Sequence, residues 1–130
     1  MEATYRQGES WMQPIRLVRN HVPLSVGPAA QAPTLIHSLE VLLHSGGRPA
    51  AHYRWPTDPA RPERLPIAFD PTQANLITLS VSREQSRRFE PGYLAAYVLA
   101  VLIDPGFAAG RAIELEIPLG VVLRGETAHL

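Results

Sequence analysis

The chain has 130 residues, no cysteine, and no net charge, because 12 arginines balance 12 acidic residues and lysine is absent. Disulfides, thiolate metal sites and cysteine nucleophiles are excluded together, and the positive footprint expected of a nucleic-acid binder is missing. The length predicts one domain able to bury a core without a covalent staple.

Met1 is followed by Glu2 and a polar stretch, a start without the pattern of a signal peptide. Residues 1–14 read as an N-terminal arm, with Tyr5, Trp11 and Met12 as isolated large side chains. Residues 15–130 are then the folded domain. Ile15 to Val18 starts the first strand-like run, and Val22, Leu24 and Val26 alternate with Pro23 and Ser25 as an edge strand would.

Thr34 to Gly47 supports two readings. Leu35, Ile36, Leu39, Leu42 and Leu43 have helical spacing, with Thr34 as N-cap and Gly46-Gly47 as the stop. Read as a strand, Leu35, Leu39, Val41 and Leu43 share a face, and Ser45-Gly46-Gly47-Arg48 turns into Ala51 to Trp55. The surrounding strand pattern favours the hairpin.

Five prolines between Pro49 and Pro66, interleaved with charges, predict an exposed polyproline-like loop. Ile67 to Asp70 and Leu76 to Val81 are strand candidates joined through the turn starter Asp70-Pro71. Ser82 is placed to cap a helical turn over Arg83 to Phe89, which Pro91-Gly92 ends. Tyr93 to Ile103 is the longest uncharged apolar run, 11 residues and about half of what a bilayer-spanning helix needs, so no membrane partner is expected. As a strand it is apolar on both sides, with Tyr93, Tyr97, Leu99, Val101 and Ile103 on one face and Leu94, Val98 and Leu102 on the other. Leu94, Val98 and Leu102 are the face expected to need cover from the arm or from another subunit. Ile113 to Leu123 holds the last strand or two, interrupted at Pro118 and Gly120 as by a bulge. The expected fold is all-β, an immunoglobulin-like sandwich of about seven strands with one short helical turn.

Catalytic signatures are missing. There is no G-x-S-x-G elbow and no phosphate-cradling glycine loop. Asp58, Asp70 and Asp104 each precede a proline, a turn context rather than a carboxylate pair. His21, His37, His44, His52 and His129 lack the short regular spacing of a zinc site, so neither a metal nor any other cofactor is expected. Arg83, Arg87 and Arg88 form the densest basic cluster, with Glu84 and Glu90 beside them, and read as a solvated turn. Trp11, Trp55 and Tyr5 fit two roles, interface anchors or lids over a small core. Trp55-Pro56, at the mouth of the proline-rich loop, is the better interface candidate of the two tryptophans.

Residues 77–98 read ITLSVSREQSRRFEPGYLAAYV. This resembles a recurrent passage in small immunoglobulin-like β-sandwich modules of tailed-phage virions, known from baseplate and tail-fibre proteins. The passage is a strand of type I-x-L-x-L-S, a helical turn E-x-T-x-x-L, then P-G-x-Y and a long strand. Ser82 matches the strand-ending serine, Ser86 stands for the threonine, Phe89 for the leucine, and Tyr93 comes one residue early. The resemblance implies a non-enzymatic structural protein of the virion, in the baseplate or tail or decorating the head. It implies other virion proteins or further copies of the chain as partners, and no catalytic residues. Tyr5, Trp11, Met12, Trp55, Leu94, Val98 and Leu102 are the expected contact residues. The alternative is a soluble carbohydrate- or ligand-binding sandwich with its site at Tyr53, Trp55 and the proline-rich loop.

Overall fold

A computed structural model describes residues 3–19, 22–23, 35–73, 75–104 and 107–125. It is an all-β fold in which two sheets pack as a sandwich around one core. In chain order the strands are β1 (Ala3–Arg6), β2 (Trp11–Arg16), β3 (Val18–Arg19), β4 (Val22–Pro23), β5 (Leu35–Ser45), β6 (Arg48–Trp55), β7 (Ala68–Phe69) and β8 (Leu76–Val81). Helix α1 (Arg83–Ser86), β9 (Gly92–Asp104) and β10 (Phe107–Leu123) follow. Seven of these strands have four residues or more; β3, β4 and β7 have two each.

The larger sheet has the order β1-β10-β9-β5-β6, the smaller one β2-β8-β7, and β3 pairs only with β4. Helix and hairpin competed for residues 34–47, and the hairpin forms. Ser45 pairs with Arg48, so Gly46 and Gly47 are the whole turn, at φ of 56° and 80°. A two-residue turn with positive φ at both positions matches the twist of the strands it joins, and glycine enters that region without steric cost. The strand register then puts Leu39, Val41 and Leu43 inside, all fully buried.

Ser82 caps α1 as expected. Its hydroxyl accepts from the Gln85 N–H, and the Gln85 side chain accepts from the Ser82 N–H, at 3.2 and 2.7 Å. The helix stops at Ser86, earlier than the expected Phe89, and Phe89 sits wholly buried in the core between the sheets. This capped turn carries the chain from β8 in one sheet to β9 in the other.

Three expectations need correction. The boundary between an arm and a domain at residues 14 and 15 falls inside β2, and the first strands are built into the fold. β1 pairs in parallel with β10, and β2 pairs with β8 from Trp11 to Arg16. Between them, the Gln7 amide donates to the Phe89 carbonyl at 2.7 Å, and the Gly8 N–H donates to the Ser86 hydroxyl at 2.9 Å. Gly120 makes this docking possible. At φ 149° it follows the bulge and pairs with both Leu94 and Ala3, and a Cβ there would lie 2.1 Å from the Ala3 carbonyl oxygen.

The second correction is to the proline-rich loop. Its start belongs to β6, where Pro49 is tolerated on an edge strand. Its end is tied down, because Leu65 exchanges backbone hydrogen bonds with His52 and Arg54 at 2.9 and 2.8 Å. The third concerns the start of the last strand, β10, which begins at Phe107 rather than Ile113, while its bulge between Pro118 and Gly120 lies where expected. Of the run Val22 to Val26, only Val22–Pro23 lies within the described residues, as β4; His21, His129 and the Pro105-Gly106 turn lie outside them.

Candidate functional site

Tyr5 and Trp11, expected at an interface or as lids, are lids. Tyr5 on β1 stacks on Trp11 with ring centroids 4.6 Å apart, and Trp11 meets Phe89 edge-on at 5.6 Å. The three rings close one end of the sandwich, the geometry aromatic groups prefer. Trp55 is half-buried and meets Phe69 edge-on at 5.2 Å. Met12 points outward from the smaller sheet, 61% exposed, with the Ser80 hydroxyl 3.3 Å from its sulfur.

Leu94, Val98 and Leu102 do not await cover. All three are buried between the two sheets, so they cannot touch a partner while the domain is folded. The uncovered face of β9 is the opposite one, where Tyr93 is 49% and Tyr97 40% exposed.

That outer face can be read row by row, since paired residues in neighbouring strands share a face. One row runs Glu114, Leu99, Glu40, Arg54 across β10, β9, β5 and β6. The next runs Glu116, Tyr97, Leu42, His52. The centre is apolar and aromatic apart from Glu40. The β10 margin is acidic and the β6 margin basic.

The charged groups are tied down unequally. One oxygen of Glu40 meets Arg64, Arg54 and His52 at 2.9, 3.2 and 3.3 Å, which binds the end of the proline-rich loop to the sheet. The Tyr97 hydroxyl donates to Glu116 at 3.0 Å, and that bond to an acceptor raises the phenol above its ordinary range. Tyr97 also touches the His44 ring edge-on at 4.7 Å. These side chains frame a shallow hollow of about 510 Å³ over Leu42, Tyr97 and Leu99.

A second, larger groove of about 810 Å³ lies where β6, β8 and α1 meet, and Trp11, Met12, Tyr53, Ile67, Ser80 and Arg88 contribute to its walls. Tyr53 is not free to work there. It is 1% exposed, its hydroxyl donates to the Ser80 carbonyl at 2.7 Å, and burial pushes its pKa up to about 12. A phenol held neutral in this way locks the sheets together and cannot serve as a base near neutral pH.

Asp70 and Asp58 act as turn devices. Asp70 accepts from the Thr72 N–H, the Gln73 N–H and the Thr72 hydroxyl, each at 2.8 Å, and these bonds hold its carboxyl below the usual range. Asp58 accepts from the Ala60 N–H at 2.9 Å. Arg83, Arg87 and Arg88 are all exposed. Among the described residues, no three metal-ligating side chains converge.

The signal for the outer face was present in the sequence as parity. Tyr93, Tyr97 and Leu99 fall on one side of β9, and Glu114 and Glu116 share one side of β10. The pairing of the two strands was needed to join them. Comparison of the chain with protein families, with characterised proteins and with solved structures finds no match.

Proposed function

We propose that this chain is a non-catalytic structural protein of a tailed-phage virion, working through protein contacts in the baseplate or tail or as a decoration of the head. The observation that carries the reading is the passage from β8 through the Ser82-capped turn to β9. It has Phe89 in the core and delivers a long strand whose outer face carries exposed Tyr93 and Tyr97 and half-buried Leu99. That is the strand, turn and strand of the virion modules that residues 77–98 resemble. An uncovered face with an apolar centre and charged margins suits broad contact with protein better than it suits a small substrate.

The test is recovery. An antibody raised against the purified chain should detect it in particles purified by density gradient from a lysing culture that carries its gene. It should stay with those particles through repeated banding. Presence only in the unsedimented fraction would remove the virion reading.

A second reading is favoured by the groove beside α1. There the apolar wall of Trp11 and Ile67 ends in Ser82, Glu84 and Arg88, a mixture a carbohydrate or peptide could use. Its site shares Tyr53 and the end of the proline-rich loop, Leu65 and Pro66, with the one expected, but not Trp55, which packs against Phe69. Binding of the purified chain to a glycan array, lost on Arg88→Ala, would move this reading ahead.

A further inference from the structure

We infer that the outer face of the five-stranded sheet is the contact surface for a second copy of this chain. It rests on the reading of a protein that works through protein contacts, and narrows it to one surface and one occupant. Two observations choose a second copy. The first is charge complementarity within the face. Glu114 and Glu116 line the β10 margin, while Arg54 and His52, with Arg64 beside them, line the β6 margin, in matching rows. A twofold axis parallel to the strands and passing between β9 and β5 exchanges those margins. It leaves position along the strands unchanged, so each row meets itself reversed. Glu114 of one copy then lies over Arg54 of the other, Glu116 over His52, and Tyr97 over Leu42. An isologous contact demands that kind of self-complementarity. Glu40 enters the contact already paired with Arg54 and Arg64.

The second observation is size. The 11 residues of β5 at ~3.4 Å each, and the four strands β10, β9, β5 and β6 ~4.8 Å apart, make a face of about 37 by 14 Å, on the order of 500 Å², the size of a weak, reversible contact. A stable interface buries roughly 800 Å² on each partner. Two such sheets stacked ~10 Å apart would form a four-layer particle, with the outer layers supplied by the smaller sheets.

The experiment uses the full chain. Sedimentation velocity from micromolar to near-millimolar concentration should show a monomer–dimer equilibrium that weakens as salt rises. The variant Glu114→Arg/Glu116→Arg should keep its melting temperature, because both side chains are exposed, and should dimerise at least ~10-fold more weakly. Independently of that variant, the cysteine-free background allows a single Tyr97→Cys to be treated with a short bismaleimide. Cross-linked dimers are expected there and not from Ser80→Cys on the outer face of the smaller sheet. A chain that stays monomeric throughout overturns the inference. So does a dimer that ignores the charge reversal and fails to cross-link through position 97. Neither result touches the virion reading, which stands or falls on recovery in particles.

Discussion

The two faces of β9 are made of similarly apolar residues and have opposite fates. Leu94, Ala96, Val98, Ala100 and Leu102 are all at most 2% exposed, while Tyr93 and Tyr97 on the other side are 49% and 40% exposed. Hydrophobicity alone does not say which side receives the second sheet. Shape does. The inner face alternates large and small residues, Leu, Ala, Val, Ala, Leu, which lets side chains from the opposing sheet interdigitate at close-packed density. The outer face carries phenols, whose hydroxyls need a partner when covered, and Tyr97 finds one in Glu116 on the neighbouring strand. A strand with two apolar faces therefore still declares its core side through side-chain size and polar tips.

The sharpest way to break this comparison is to cut one side chain from each face. Leu94→Ala removes a fully buried side chain and leaves a cavity between the sheets. It should lower the unfolding free energy by about 2–5 kcal/mol, measured by urea denaturation. A loss below about 1 kcal/mol would mean that the inner face has been assigned to the wrong side.

A smaller effect is expected from Tyr53, on the inner face of the larger sheet. Tyr53 titrates near 12 because it is buried, whereas its unfolded value is the ordinary 10. The folded state thus holds the phenolic proton more tightly. Its contribution to stability is complete below pH 10 and is lost as the pH rises from 10 towards 12. Tyrosinate absorbance should show one late-ionising phenol that Tyr53→Phe removes, and melting temperature should fall through the same window. Tyr53→Phe should cost roughly 1–2 kcal/mol at neutral pH, by leaving the Ser80 carbonyl without its donor, and should flatten the alkaline decline. An unchanged decline would place its source elsewhere in the fold.

The smallest effect is expected on the outer face. Tyr97→Thr keeps a good strand former at an exposed position and should change stability by less than about 0.5 kcal/mol. Its consequence belongs in self-association, which should weaken. If Tyr97→Thr destabilised the monomer as much as Leu94→Ala, both faces of β9 would be core.

Much of the architecture was legible because it follows from local chemistry. Strand β8 occupies the residues expected of it, Leu76 to Val81, since turn signals bound it on both sides. The surrounding strand pattern favoured the hairpin that Gly46-Gly47 turn, and Ser82 announced the cap. The N-terminal stretch was misread for a physical reason. Tyr5, Trp11 and Met12 show no periodicity long enough to announce strands. Their order comes from partners far along the chain: Val122 for Tyr5, Val81 for Trp11 and Ser80 for Met12. Leu94, Val98 and Leu102 were correctly grouped on one face, and that face was taken for the uncovered one.

By itself, the sequence determined what depends on near neighbours. This covers an all-β chain, its turns and capped helical turn, its lack of thiol chemistry, and the parity that keeps Tyr97 apart from Val98. Tertiary structure alone decided which face of β9 is core, because that choice depends on where the smaller sheet packs. It also decided that the first strands close the sandwich, since Gly120 admits the Ala3 backbone only once β10 has been laid beside it. Finally, it brought Glu114, Leu99, Glu40 and Arg54 into one row from segments separated by most of the chain. A row of that kind depends on strand register, which pairing across the whole sheet sets and no local pattern specifies.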